Sequence, residues 1–446
     1  MRPARRIVAV ADSDSYVKWA AALLGTLDGR WDASLLVLRT PLAVSDDQLD
    51  SQLRGGGLPR ERVSRVAWPD LMSRLGEQRA DAVVLAGRGP LVRMLAREIA
   101  GLSPRPVIVT GLPGISIPAT RKAIVYRTQC DLFLLHSHRE RREFDRLSVT
   151  LGMPQRFALA TLPFARSGGA LPGGGGTDLV FAPQAKVPAA RADRLRIARL
   201  LVRAADADPS RRVVVKLRAA RGEMQTHAER DSYPDLLATL GRLPANLVTS
   251  TTSMASALRT AEGVLTVSST AAIEAIALGL PVIALDSFGV APALINEVLA
   301  DAGLLGSEDD VVERSFRRPA EAWLEDNYFH RPEDDDWAQR MGDLIDARRS
   351  GVLAPQPPLG RIGGALRDAW ERKTVLGPQD RSFAGALALA LGVPLRSAIR
   401  LVHRARRHVA SKAPDARMRA QQPGPDGFSR QVSSTSAVRT STTRTS

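Results

Sequence analysis

The feature that most constrains this chain is a rhythm that runs twice. Short β-branched runs, RIVAVA (6–11), ASLLVL (33–38), AVVLA (82–86), PVIVTG (106–111) and DLFLLHS (131–137), alternate with helix-length stretches such as YVKWAAALLGTL and PLVRMLAREIAGL. Strands that alternate with helices imply βαβ units and a mostly parallel sheet. The glycine-rich RSGGALPGGGGT (166–177) then reads as a flexible hinge. After it the rhythm restarts with DLVFA (178–182), RVVVKL (212–217), NLVTS (246–250), GVLTVSS (263–269) and PVIALD (281–286). The expectation is an α/β fold with two Rossmann-like domains facing a cleft, C-terminal helices and a disordered basic tail. The boundaries fall at 1–165, 166–177 for the hinge, 178–305, 306–410 for a helical region that includes PEDDDWAQRMGDLIDARR, and 411–446 for the tail. In open parallel sheets ligands bind beyond the carboxyl ends of the strands, so the cleft is the expected site.

Composition narrows the function classes. With 446 residues, 44% hydrophobic, the core is ample for several domains. Cys130 is the single cysteine, so no intramolecular disulfide forms, which fits a reducing, cytoplasmic setting. The net charge of +15 is unevenly placed: residues 396–446 hold eleven Lys or Arg against two Asp, and so nine of the fifteen charges. The basic pI describes a tail more than a body, and nucleic-acid binding by the whole chain does not follow. Aromatic content of 4% offers no RNA-stacking platform. The N-terminal MRPARRIVAVADSD has too short an apolar run for a signal peptide, and FAGALALALGVPL (383–395) is too short to span a bilayer.

Three constellations could carry chemistry. In VLTVSSTAAIEAIALGLPVIALD (264–286), Ser268, Ser269 and Thr270 stand between a strand and a short helix. Hydroxyls at a helix start suit a phosphate, whereas Thr270 as a plain cap would explain one of the three. Glu274 is the lone acid of that apolar helix, and a buried carboxylate needs partners; a ribose hydroxyl pair and a backbone turn are the two contenders. The second constellation, VVVKLRAARGEMQTHAERDSYPDLL (213–237), sets Lys216 and Arg218 at the end of a strand expected to be central, with Glu223, Thr226 and His227 after them. Such a cluster suits an anionic substrate; a solvated charged loop is the plainer reading. Third, Asp12 and Asp14 lie where the first strand meets the first helix, placed either for general-base work or as caps. TGLPGISIPAT (110–120) is a loop fit for close approach of a ligand, while His136 and His138 lack a third partner for a metal.

These pieces together resemble the GT-B glycosyltransferases, and within them bacterial capsule-type, Kdo and sialic-acid transferases and an uncharacterised family of glycosyltransferases. VFAPQ (180–184) resembles the first strand and loop of their donor domain, which would put Gln184 near the donor phosphate; the SST at 268–270 resembles their phosphate-contacting motif. Where many relatives carry Lys-x-His-Pro, this chain has Lys216-Leu217-Arg218-Ala219. The resemblance implies a nucleotide-sugar donor, a CMP-linked nonulosonate first, and a hydroxyl acceptor in a glycan or glycolipid of the cell envelope. It implies no cofactor and no metal, with the leaving phosphate held by 268–270, Lys216 and Arg218. Asp14, slightly ahead of Asp12, would be the base. Two other readings stand beside it: a sugar-nucleotide epimerase of the same fold, and a nucleic-acid or anionic-membrane binder acting through the basic stretch LRSAIRLVHRARRHVASK (395–412).

Overall fold

A computed structural model describes residues 4–42, 45–53, 56–165, 176–217, 231–358 and 364–392. The first sheet has seven parallel strands: β1 (Arg5–Ala11), β2 (Trp31–Leu38), β3 (Val63–Val66), β4 (Ala82–Ala86), β5 (Val107–Gly111), β6 (Leu132–Leu135) and β7 (Phe157–Leu159). Its order is β3-β2-β1-β4-β5-β6-β7. Between them run α1 (Asp14–Leu24), α2 (Asp46–Leu53), α3 (Trp68–Gln78), α4 (Gly89–Ile99), α5 (Arg121–Val125) and α6 (His138–Thr150). The second sheet has six strands: β8 (Asp178–Phe181), β9 (Val213–Lys216), β10 (Leu247–Ser250), β11 (Ala261–Thr266), β12 (Val282–Leu285) and β13 (Leu305–Gly306). They lie in the order β10-β9-β8-β11-β12-β13. Its helices are α7 (Arg191–Ala207), α8 (Tyr233–Ala238), α9 (Met254–Leu258), α10 (Ala271–Ala277), α11 (Glu297–Asp301) and α12 (Glu308–Val312).

Both orders are the doubly wound one, with the direction of winding reversing between β1 and β4 in the first sheet and between β8 and β11 in the second. A crevice opens at such a switch point because the helices on either side leave in opposite directions. Strands with residues such as Val83, Val84 and Leu85 buried on both faces explain why the runs are continuously apolar rather than alternating. β9, expected to be central, is second from an edge; β3, β7 and β13 are too short or too polar to stand out in the sequence.

The chain then returns. α13 (Glu321–Asp326) leads to α14 (Trp337–Arg349) and α15 (Gly364–Leu376), and both of the latter pack on the first sheet's layer. Trp337, Met341 and Ile345 of α14 share a core with Ile7 and Val109, and Val375 and Leu376 of α15 join Leu91 and Leu95 of α4. The acidic run before α14 has a backbone purpose: Asp336 accepts from Leu159 N (2.7 Å) and Asp335 from Thr161 N (2.6 Å), which fastens the edge strand β7. One apolar cluster runs through both sheets, from Ala9 and Trp19 to Ala272 and Ile273, and Met1–Ala388 form one compact unit. Among the described residues no helix is long and apolar enough to cross a membrane.

Candidate active site

At the first switch point, β1 delivers Asp12 and Ser13 and β4 delivers Gly87 and Arg88. Asp12 is fully buried, and no donor makes a close hydrogen bond to either of its oxygens; Arg88 Nη2 is 3.6 Å away. Burial pushes the Asp12 carboxyl up to about 6, against the pull of the Arg88 charge and of weaker hydrogen-bond contributions from Arg88 and Thr40. Ser13 is the N-cap of α1 by backbone geometry, yet its hydroxyl makes no cap bond and is itself without a partner. Behind them Arg127 is buried, donating to the carbonyls of Ala123 (3.3 Å) and Gly87 (3.4 Å), with its Nε unpaired. Arg88 Nε is also buried without a partner. Tyr16, on the first turn of α1, has its phenol held above its usual range by burial. Buried polar atoms are nearly always satisfied, so five orphans from four neighbouring side chains mark a place built for a polar guest.

The wall beside this crevice is wired rigidly. His136, at the end of β6, is fully buried, and burial pushes its imidazole down. The neutral ring accepts from Trp19 Nε1 (2.9 Å) and faces Ala160 O through Nδ1 (2.7 Å). Glu140 beneath it accepts from the backbone N–H of His136 (2.9 Å) and Ser116 (3.0 Å) and from the Tyr328 hydroxyl (2.8 Å). One carboxylate thus ties β6, the loop after β5 and the returning chain. His136 and His138 therefore have hydrogen-bonding roles, the latter toward Asp334 (3.1 Å). Among the described residues no group of three or more His, Cys, Asp or Glu could hold a metal.

At the second switch point the three hydroxyls divide their labour. Ser268 Oγ donates to Gln184 Oε1 while Gln184 Nε2 donates to Ser268 O (2.9 Å), a reciprocal clasp between the ends of β8 and β11. Ser269, not Thr270, does the capping: its Oγ accepts from Ala271 N (3.3 Å), and Thr270 makes no side-chain cap bond. Thr266 braces the turn from below, donating to Ala182 O (2.9 Å) and accepting from Ser269 N (3.0 Å). Thr270 is left facing the other half of the molecule: a Cβ on Gly114, in the loop after β5, would lie 2.6 Å from its Oγ1. Lys216, buried at the end of β9, donates to the carbonyl of Leu217. Arg194 holds the Gln184 backbone carbonyl at 2.9 Å and stacks over Tyr233 at 4.5 Å.

Glu274 meets a partner that neither contender anticipated. Both of its oxygens lie 3.2 Å from Lys18 Nζ, on α1 of the first sheet's layer. The pair sets the first turn of α10 against α1, one turn beyond Asp14, so the two switch-point crevices open toward each other. Asp14 itself begins α1, half-buried, and accepts from Ser15 Oγ (3.4 Å). Arg218, Glu223, Thr226 and His227 lie outside the described residues. Arg88, Tyr16 and Arg127 were missed because nothing in their local sequence marks them; only the strand order shows that the residue after β4 stands beside the residue after β1.

Two doubly wound sheets, each with its switch-point crevice turned to the other, and a C-terminal helix pair returned to the first, define a GT-B architecture. The chain belongs to the family described as "Putative glycosyltransferase (DUF6716)", whose model matches residues 7–344. No curated protein matches it by sequence. Among solved structures it is similar to a "putative UDP-N-acetylglucosamine 2-epimerase" from Listeria monocytogenes at 9% identity, over 83% of this chain and 96% of that one, with a TM-score of 0.49. It is also similar to HepE of Anabaena, solved with UDP-glucose (12% identity, 78% and 99% covered, TM-score 0.47). The pneumococcal O-GlcNAc transferase GtfA, solved with UDP and GlcNAc, is similar at 11% identity over 78% and 96% (TM-score 0.44).

Proposed function

We propose that this enzyme transfers a sugar from a nucleotide-sugar donor in the second sheet's crevice to a hydroxyl acceptor in the first, with Asp12 as the base. The observation that carries the reading is Asp12 itself: a buried carboxylate at a switch point, with no close hydrogen bond to either oxygen, lifted to about 6. A base with such a value is ionised at neutral pH yet basic enough to take a proton. Asp14 is half-buried and accepts from Ser15 Oγ, so the preference between the two reverses.

In the step, Asp12 takes the acceptor O–H proton. The acceptor oxygen forms its bond to the donor's anomeric carbon, and the bond from that carbon to the phosphate oxygen breaks with its electron pair on the phosphate. Ser269 and Thr270 at the start of α10, together with Lys216, would receive that growing negative charge, and Arg218 would join them. This requires no divalent metal. Gln184 acts through Ser268, holding the turn, rather than on the phosphate. The Lys18–Glu274 pair would align the two halves as they close and exclude water.

The first donor to test is a CMP-linked nonulosonate. The acceptor by this reading is a glycan or glycolipid of the cell envelope, and the basic 396–446 segment would hold the enzyme to the anionic inner membrane face. Thermal stabilisation of the purified protein by CMP, CDP, UDP and GDP is the direct test. A ligand at 100 times its dissociation constant adds about 2.7 kcal/mol. One nucleotide should stabilise, and Ser269→Ala or Lys216→Ala should lose the effect. UDP or GDP would replace CMP as donor class; if no nucleotide stabilises the protein even with transfer assays negative, the reading fails.

A further inference from the structure

The charge at the first switch point does not balance. Arg88 and Arg127 bring two guanidiniums, and among the described residues Asp12 is the only carboxylate within ion-pair distance of either. Their neighbours are matched: Arg93 pairs with Glu371 and Arg97 with Asp368, both across to α15. Asp12 pairs with Arg88 only loosely, Oδ2 to Nη2 at 3.6 Å, and this leaves the Arg88 Nε without an acceptor. Arg127 is committed through its two terminal nitrogens to the carbonyls of Ala123 and Gly87, and so supplies field rather than a free fork. Arg88 is different. It caps α4 by position only, its side chain is 37% exposed, and its Nε is buried with no acceptor. A guanidinium edge in that state matches the two-oxygen face of a carboxylate or phosphate.

We propose that the crevice between β1 and β4 takes an acceptor that carries its own anionic group, a carboxylate or a phosphate, seated on Arg88 beside the hydroxyl that Asp12 deprotonates. This rests on the functional reading above for the identity of the reacting hydroxyl, but the anion site itself is a property of the chain. A neutral sugar would satisfy Asp12 and Ser13 and leave the Arg88 edge unpaired. An anionic one answers the orphaned donors and acceptors together. The second guanidinium adds to the attraction without touching the ligand.

The test uses three probes on the full chain at low salt: glucuronate, glucose 6-phosphate and methyl glucoside, each titrated by calorimetry with and without the nucleotide that stabilises best. Glucuronate or glucose 6-phosphate should bind wild-type protein and methyl glucoside should bind at least about tenfold more weakly, the loss of one charge-assisted pair. Which of the two anions binds tells carboxylate from phosphate. Arg88→Gln should lose the preference for the anion while keeping its nucleotide response, and Arg88→Lys, which keeps the charge and not the fork, should fall between. Circular dichroism of both variants checks that they fold; if Arg88→Gln does not, Arg88→Lys against wild type decides. The proposal is overturned if Arg88→Gln retains the anion preference, if the neutral sugar binds as well as the charged ones, or if neither anion binds. It is also overturned if nucleotide displaces the anion, which would put the anion in the donor crevice. Anion binding without any nucleotide response would sink the donor reading and leave this one standing.

Discussion

In the proposed reaction Asp12 would be the base, and its energetics make that role testable twice. Its carboxyl is raised from an ordinary 3.8 to about 6 by burial, so between those values the folded chain binds more protons than the unfolded one. Stability therefore falls as pH rises from about 4 to about 6, then levels off. Asp12→Asn removes that cost. We expect the variant to be more stable than wild type at pH 8 by up to about 3 kcal/mol, two units at 1.36 each, with the gap closing near pH 4. Denaturant titrations at the two pH values check it. The same substitution should cut transfer by ~10²–10⁴-fold, and wild-type turnover should rise with pH through an apparent value near 6. An inactive variant that is no more stable at pH 8 would contradict the burial argument. The trade of stability for a poised group is common at active sites.

At the scale of elements, the turn from β11 to α10 is held by a residue outside the hydroxyl triplet. Thr266 is fully buried and braces both Ala182 and Ser269. Thr266→Val keeps the shape and leaves a backbone donor and a carbonyl short of a partner, at a cost of about 1–3 kcal/mol. Chemical denaturation should report that loss, with nucleotide affinity falling alongside as the turn loosens. Ser269→Ala should lower affinity with a smaller stability loss of about 1 kcal/mol, that of a cap. Glu140 is the comparable fastening in the first sheet. Glu140→Ala frees three buried donors and should destabilise by roughly 3 kcal/mol or more, seen as a large drop in denaturation midpoint.

For the whole molecule the question is what joins the halves. The Lys18–Glu274 pair crosses between them, but the side chains are 34% and 18% exposed, so solvent screening limits its worth. A double-mutant cycle at these positions should give a coupling below about 1 kcal/mol that shrinks with added salt. The apolar cluster through Trp19 and Ile273 carries most of the attachment. The returning helices add to it. Deleting 359–446 removes Val375 and Leu376 from the α4 face, about 1.5–3 kcal/mol each, along with the Arg93 and Arg97 pairs. Deleting only 396–446 should leave the melting temperature within error of the full chain, and a comparison of the two truncations by calorimetry separates the cases.

The alternation of apolar runs and helices determined the two parallel sheets without help, because a strand buried on both faces must be apolar throughout and a crossover helix must follow it. The short turns after the strands were legible too: Asp12, Ser268 and Ser269 stand out as polar residues at the end of apolar runs. What local sequence could not carry was pairing across distance. Arg88 joins Asp12 only because β4 lies beside β1, Gln184 clasps Ser268 only because β11 lies beside β8, and Glu274 meets Lys18 from 256 residues away. Periodicity records which way each side chain faces relative to its own strand or helix. Which strangers it then meets is decided by strand order and by the packing of one sheet's layer on the other, and these exist only once the chain has closed on itself.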